Sequence, residues 1–206
     1  QDLELIRRAY ELAETAHAGQ FRKSGEQYII HPLAVAQTLA ELRLDARTVA
    51  AALLHDVPED TVYDIPYLEK EFGAEIASMV DGVTKLVVAS EMATYPRDIR
   101  DPKVESLRKL MLTMVSDVRV VLIKLADRLH NMRTMGYMPP DKQRRISRET
   151  LDIYAPLASV LGMYQLKLEL EELSFRFLEP EAYQEMSDKF SAHRDASEAY
   201  IAAVMA

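Results

Sequence analysis

Apolar residues recur every three or four positions along almost all of this chain, and that spacing restricts it to helices. Leu5, Ala9, Leu12 and Ala16 stand at i, i+4, i+7 and i+11 with charges between them, the pattern of an amphipathic helix with one buried face. "HPLAVAQTLAEL" reads the same way, with Pro32 suited to a first helical position, where its missing N–H costs nothing. Asp45 can cap "ARTVAAALLHD". "IPYLEKEF" stops at Gly73, and "AEIASMVDGVTKL" follows. "VVASEMATYPRDIRDPK" then loses the periodicity, holds two prolines and reads as a long mobile loop. Helical spacing returns from Val104 to Thr134, with a break near Ser116-Asp117. "PPDKQRRISRETLDIYAPLASVLG" predicts a helix bent near Pro156. Leu166, Leu170, Leu173 and Phe177 mark the next, and a last helix runs from Glu181. No segment alternates as a strand would. The expectation is an all-α fold of about ten helices.

Composition narrows the function classes. A length of 206 residues fits one domain with a sizeable core, or one domain plus an appendage. No apolar run approaches the roughly 18–20 residues that span a bilayer, so no membrane role is expected. Without cysteine there is no disulfide and no thiolate metal site, which agrees with a cytoplasmic location. A net charge of −8 argues against a direct nucleic-acid footprint, and an anionic substrate would need local cations or a metal. The chain opens on Gln1 rather than methionine, which reads as a fragment. Its ten methionines read as core filler.

"LLHDVPEDT" places His55, Asp56, Glu59 and Asp60 directly after the apolar run "VAAALL". His55 and Asp56 close an apolar helix. Pro58 opposes its simple continuation and pushes Val57 toward extended geometry, so Glu59 and Asp60 are expected on a turn just past the helix end. Negative charge there opposes the helix dipole. A divalent cation would compensate it; a solvated acidic turn is the plainer alternative. "DVRVVLIKLADRLHNMRT" adds a second clue. Its first half is apolar, yet Asp127, His130, Asn131 and Thr134 form one polar stripe at i, i+3, i+4 and i+7. Buried carboxylates are paired or bind metal. With His31 at the start of its helix, the set His31, His55, Asp56 and Asp127 is a coherent ligand group for Mn²⁺, Fe²⁺, Co²⁺ or Zn²⁺. His130 is expected to support a ligand or pack the helix rather than bind the ion, and Arg128 and Arg133 to be surface or salt-bridge residues.

A lone histidine, a His-Asp pair and a distant aspartate resemble the signature of the HD superfamily of metal-dependent phosphohydrolases. "GQFRKSGEQYIIHPLAVA", "LLHDVPEDT", "FGAEIASMVDGVTKL", "VLIKLADRLHNMRT" and "YAPLASVLGMYQLKLELEELSFRFLEP" further resemble the hydrolase domain of the RelA/SpoT family, from about Ile6 to Pro180. The resemblance implies a helical HD domain over residues 1–180 with a buried site for one Mn²⁺. It implies hydrolysis of the 3′-diphosphate of ppGpp or pppGpp to pyrophosphate plus GDP or GTP. Carried over by position, it makes His31, His55, Asp56 and Asp127 the metal ligands, and Glu59 and Asp60 the groups that position and deprotonate the attacking water. Arg22, Lys23 and Ser24 of the "RKSG" segment match residues beside the substrate, and Asn131 and Thr134 match positions lining the nucleotide pocket. Lys124 is expected to offset diphosphate charge together with Arg22 and Lys23.

Pro58 departs from the family pattern and bears on the aim of Glu59 and Asp60 rather than on the metal. Two other readings stand beside this one: an HD phosphohydrolase acting on another nucleotide, and a non-catalytic alarmone-binding regulatory domain. Residues 181–206 read as a helix with no stop signal at Ala206, and resemble the linker by which long family members enter a synthetase domain. The chain is thus expected to be the hydrolase part of a bifunctional enzyme.

Overall fold

The computed structural model describes residues 1–91 and 116–190. Among them secondary structure is helical throughout, apart from a single antiparallel bridge between Phe21 and Gln27. The fold is all-α. Two compact units divide it, Gln1–Met138 and Pro139–Ala206.

The first unit is built around helix α3 (Ala46–Leu54), flanked by α1 (Asp2–Ala16), α2 (Ile30–Glu41), α6 (Ala74–Glu91) and α7 (Val118–Arg133). Every residue from Thr48 to Leu54 is buried. The run Ala50-Ala51-Ala52 keeps that helix thin, so four neighbours can approach it, while Leu53 and Leu54 fill the remaining space. Each such leucine contributes roughly 1.5–3 kcal/mol on burial. Asp45 caps α3 as expected, accepting from the N–H groups of Arg47 and Thr48 at 3.0 and 3.1 Å. Helices α6 and α7 meet closely where Gly82 faces Val120: a Cβ at position 82 would lie 3.0 Å from a Val120 methyl. Helix α7 is buried at nine of its sixteen positions, Asp127 and His130 included.

Three local expectations need correcting. Helix α2 starts at Ile30, so Pro32 is its third residue; the N–H it lacks still belongs to the unbonded first turn. Val57 is not extended. A short helix, α4 (Val57–Asp60), forms instead with Pro58 in its first turn, and the Asp56 carbonyl accepts from the N–H groups of Glu59 and Asp60 at 3.2 and 3.0 Å. Proline is pre-shaped for a first turn, so it restarts a helix here and joins the His-Asp pair and the acidic pair in one backbone unit. Helix α6 continues to Glu91, five residues into the segment expected to be loop. The rest of that loop and residues 104–115 lie outside the described residues.

Helix α5 (Ile65–Phe72) begins on the Asp64 cap and ends at Gly73, whose φ of 88° lies in the left-handed region. Asp117 caps α7 at the expected break. In the second unit, α8 (Pro140–Glu149) runs through one π turn (Thr150–Tyr154) into α9 (Ala155–Val160). That widened turn directly precedes Pro156, whose missing N–H disrupts regular α bonding there. Helix α10 (Tyr164–Leu178) buries Leu166 and Leu170, and residues 180–190 are helical. The final stretch, 191–206, lies outside the described residues. No described helix is long and apolar enough to cross a membrane.

Candidate metal centre

Four elements of the first unit converge on one buried cluster. His31 comes from the first turn of α2, His55 from the end of α3, Asp56 from the link to α4, and Asp127 from the middle of α7. Ligand atoms of His31, His55 and Asp127 lie within 4.8 Å of one another. Asp56 closes the group, with Oδ1 at 3.1 Å from His55 Nε2 and Oδ2 at 3.4 Å from His31 Nε2. His31 Nε2 also stands 3.2 Å from Asp127 Oδ1. All four sequence-predicted ligands are together.

The hydrogen bonds assign a tautomer to each neutral ring. His55 Nδ1 donates to the Ala52 carbonyl at 2.7 Å, so its Nε2 is a bare lone pair. That atom is buried and has no hydrogen-bond partner. The Arg22 guanidinium donates to His130 Nδ1 at 2.9 Å; that nitrogen must be an acceptor, and its second neighbour, His31 Nδ1 at 2.8 Å, must carry the proton. His31 Nε2 is then bare as well. In these neutral tautomers two buried ring lone pairs face carboxylate oxygens. That arrangement is repulsive unless a cation sits among them. Two imidazole nitrogens and two carboxylates suit a borderline-to-hard divalent transition metal, so the residues fit the ion that the sequence implied.

Electrostatics keeps the ligands ready. Burial pushes the Asp127 carboxyl up, but the Lys124 ammonium beside it opposes that and Asp127 stays well below the usual carboxylate range. Burial pushes His31 down from the ordinary imidazole value, against the pull of Asp127. Both ligands are deprotonated near neutrality, so metal binding has no proton to displace from them. His130 is depressed to about 4 by burial, His31 and Arg22, and stays a neutral acceptor.

The supporting shell is dense. Lys124 Nζ lies 2.5 Å from Asp127 Oδ2, which commits its ammonium to the ligand. Asn131 Nδ2 donates to Asp127 Oδ1 at 2.5 Å, and its own Oδ1 accepts from Arg22 at 2.7 Å. Arg22 therefore reaches the α7 stripe at two points. Its neighbours do not follow: Lys23 is exposed, and the Ser24 hydroxyl donates to Glu26 at 2.9 Å within the turn that Gly25 closes at φ 87°. Thr134 hydrogen-bonds back to the His130 carbonyl at 3.0 Å.

The acidic pair adjoins the cluster. Glu59 is raised above the ordinary carboxyl value, chiefly by burial, with the Asp56 charge adding to it and Lys124 opposing. Asp60 accepts the Tyr28 hydroxyl at 2.7 Å; the same phenol oxygen is 2.9 Å from Asp56 Oδ2. Sequence reasoning missed Tyr28, His17 and Gln20. Tyr28 sits three residues after the "RKSG" run and three before His31, and that placement was the available signal.

The HD domain family matches residues 9–164. The guanosine-3′,5′-bis(diphosphate) 3′-pyrophosphohydrolase of Vibrio cholerae is 52% identical over 192 residues, which is 93% of this chain and 26% of that protein. The GTP pyrophosphokinase of Myxococcus xanthus is 46% identical over 200 residues, 97% of this chain and 26% of that protein. This chain spans about a quarter of the length of these curated relatives. Among solved structures, a metazoan ortholog of SpoT described as hydrolysing ppGpp matches with a TM-score of 0.59 at 27% identity, covering 84% of this chain and 94% of that one. On its motifs, its fold and these matches, the chain belongs to the HD-domain family and is similar within it to proteins named SpoT or ppGpp pyrophosphohydrolase.

Proposed function

We propose that this domain hydrolyses the 3′-diphosphate of ppGpp or pppGpp, releasing pyrophosphate and GDP or GTP, with one Mn²⁺ held by His31, His55, Asp56 and Asp127. The observation that carries the reading is the pair of bare imidazole nitrogens facing carboxylates, with an ionisable acidic pair on the same backbone unit. The names of the relatives and of the solved ortholog support the substrate. When bound, a divalent ion supplies Lewis-acid polarisation of a phosphoryl oxygen and lowers the pKa of water.

The chain's own residues supply the rest. Asp60, aimed by the Tyr28 hydroxyl, and Glu59, raised by burial, accept the proton of the attacking water. Arg22 stands at the edge of the cluster with a guanidinium able to meet a phosphate in two-point contact. Lys23 and Ser24 extend that basic edge from the exposed turn, and Asn131 and Thr134 line the stripe beyond it. Lys124 balances charge through Asp127. The lengths and names of the relatives support a synthetase domain in the same native chain; several hundred further codons carrying a synthetase motif would bear that out, and a stop codon directly after Ala206 would refute it.

The deciding assay is pyrophosphate release from ppGpp with Mn²⁺, with EDTA, and with other nucleotides in place of ppGpp. Release confined to ppGpp and pppGpp and abolished by EDTA is the expected result. Faster turnover of another nucleotide would reassign the substrate, and tight ppGpp binding without release would make the domain a sensor.

A further inference from the structure

The segment between α1 and α2 does more than present basic residues. His17 closes α1 and is buried. Its ring stacks on Tyr28 with centroids 4.5 Å apart and an interplanar angle of 21°. His17 Nδ1 lies 2.9 Å from Gln20 Oε1, and Gln20 Nε2 donates to the Asp60 carbonyl at 3.0 Å. The Tyr28 N–H donates to the Gln20 carbonyl at 3.0 Å, and the His31 N–H to the Tyr28 carbonyl at 2.9 Å. Asp60 is therefore gripped twice, by Gln20 at its backbone and by Tyr28 at its carboxylate. Both grips rest on the stacked His17–Tyr28 pair. The phenol carries one proton and stands between the oxygens of Asp56 and Asp60; it can donate to only one of them at a time.

We propose that Tyr28 is a positioning residue for the reaction: its hydroxyl holds the Asp60 carboxylate in register with Asp56, and the His17–Gln20 bracket keeps Tyr28 in place. A cation engaging Asp56 leaves the single phenol proton to Asp60, which fixes one rotamer of the proposed base. The role rests on the hydrolase reading above for its kinetic consequence, but not for its structural one. Tyr28→Phe is the informative variant, because it removes the oxygen and keeps the ring that stacks on His17.

Two measurements test it. In crystals of the Mn²⁺-loaded protein, Asp60 should occupy one rotamer in the wild type and several in Tyr28→Phe; an unmoved, single Asp60 rotamer in the variant overturns the proposal. In ppGpp turnover, kcat should fall about 10–100-fold, the scale of misplacing a catalytic group by about 1 Å, while KM and Mn²⁺ affinity stay within about threefold. A loss confined to KM or to metal affinity overturns it. In an Asp60→Asn background the Tyr28→Phe loss should vanish, since residues acting through one another are not additive; a full second loss also overturns it. Absence of turnover in the wild type would defeat the hydrolase reading instead, leaving the Asp60 rotamers to judge Tyr28. If Tyr28→Phe were unstable, Gln20→Ala, which releases the other grip on Asp60, should show the same kcat-only loss in smaller measure.

Discussion

Helix α7 carries one charge cluster at its N-terminus and another from its middle onward, and the two are built on opposite principles. Near its N-terminus Arg119 meets Glu75 at 2.7 Å and Asp117 at 2.7 Å, with Asp45 at 4.0 Å, while Arg47 takes the other oxygen of Glu75 at 3.1 Å. Every contact there pairs a donor with an acceptor. Toward the C-terminus four carboxylates, Asp56, Glu59, Asp60 and Asp127, gather with two cations, Arg22 and Lys124, and two bare imidazole nitrogens point at the carboxylates. The first cluster is complete within the protein and ties three helix starts together. The second is complete only with a divalent cation. A network in which every carboxylate meets a cation is structural; a buried one with twice as many carboxylates as cations marks a binding site.

The largest expected effect breaks the second cluster. Asp127→Ala should abolish both Mn²⁺ binding and turnover, and unchanged Mn²⁺ affinity by calorimetry would remove Asp127 from the ligand set. Next come Glu59→Gln and Asp60→Asn, which leave the assigned ligands intact. Each should retain the ion and bind ppGpp yet lose roughly 10²–10⁴-fold in turnover; near-normal rates in both would end their assignment as proton acceptors. His130→Ala removes the acceptor that orients His31 and should weaken Mn²⁺ about 10–100-fold, the range for supporting groups around a metal. Calorimetry on that variant reads this directly.

Acid should separate the two clusters further. His130 titrates near 4 when folded, pushed down by burial, and near 6.5 when unfolded. Between those values the unfolded chain binds more protons, so stability rises with pH through this window. The metal-free protein should hold its full stability above about 6.5 and lose this contribution as pH falls toward 4, with His31 acting in the same direction. Asp117, held low by its bond to Arg119, loses its contribution only below about 3.9. Melting curves in EDTA from neutral to mildly acid pH should therefore decline, and His130→Gln should flatten the decline. The smallest effect belongs to Arg119→Ala, which should lower stability by about 1 kcal/mol, as for a partly exposed ion pair. That corresponds to a shift of roughly 2–4 °C in a protein of this size. Metal affinity and turnover should not move. A loss of metal binding in that variant would mean the two clusters on α7 are not independent.

What the sequence by itself determined was the helical class, the cap at Asp45, the break before Asp117, and the residues that could bear the chemistry. Helical spacing is local, and the polar stripe on an apolar helix is visible one turn at a time. An irregularity near Pro156 was equally legible, and it takes the form of the π turn at Thr150–Tyr154, because a missing N–H acts within its own helix. Two things escaped. One was the local geometry at Pro58, read as a break when the residue starts α4; a proline opposes continuation and favours initiation, and only the bonds to the Asp56 carbonyl decide which prevails. The other was everything that depends on two segments meeting. Tyr28 bridging Asp56 and Asp60, and Arg22 reaching His130 beside His31, join side chains 28 to 108 positions apart. No periodicity encodes such a meeting. The tertiary structure decided them because the thin, alanine-rich α3 lets α1, α2, α6 and α7 close around it, and that packing brings the bare nitrogens and carboxylates to within a few ångströms of one another.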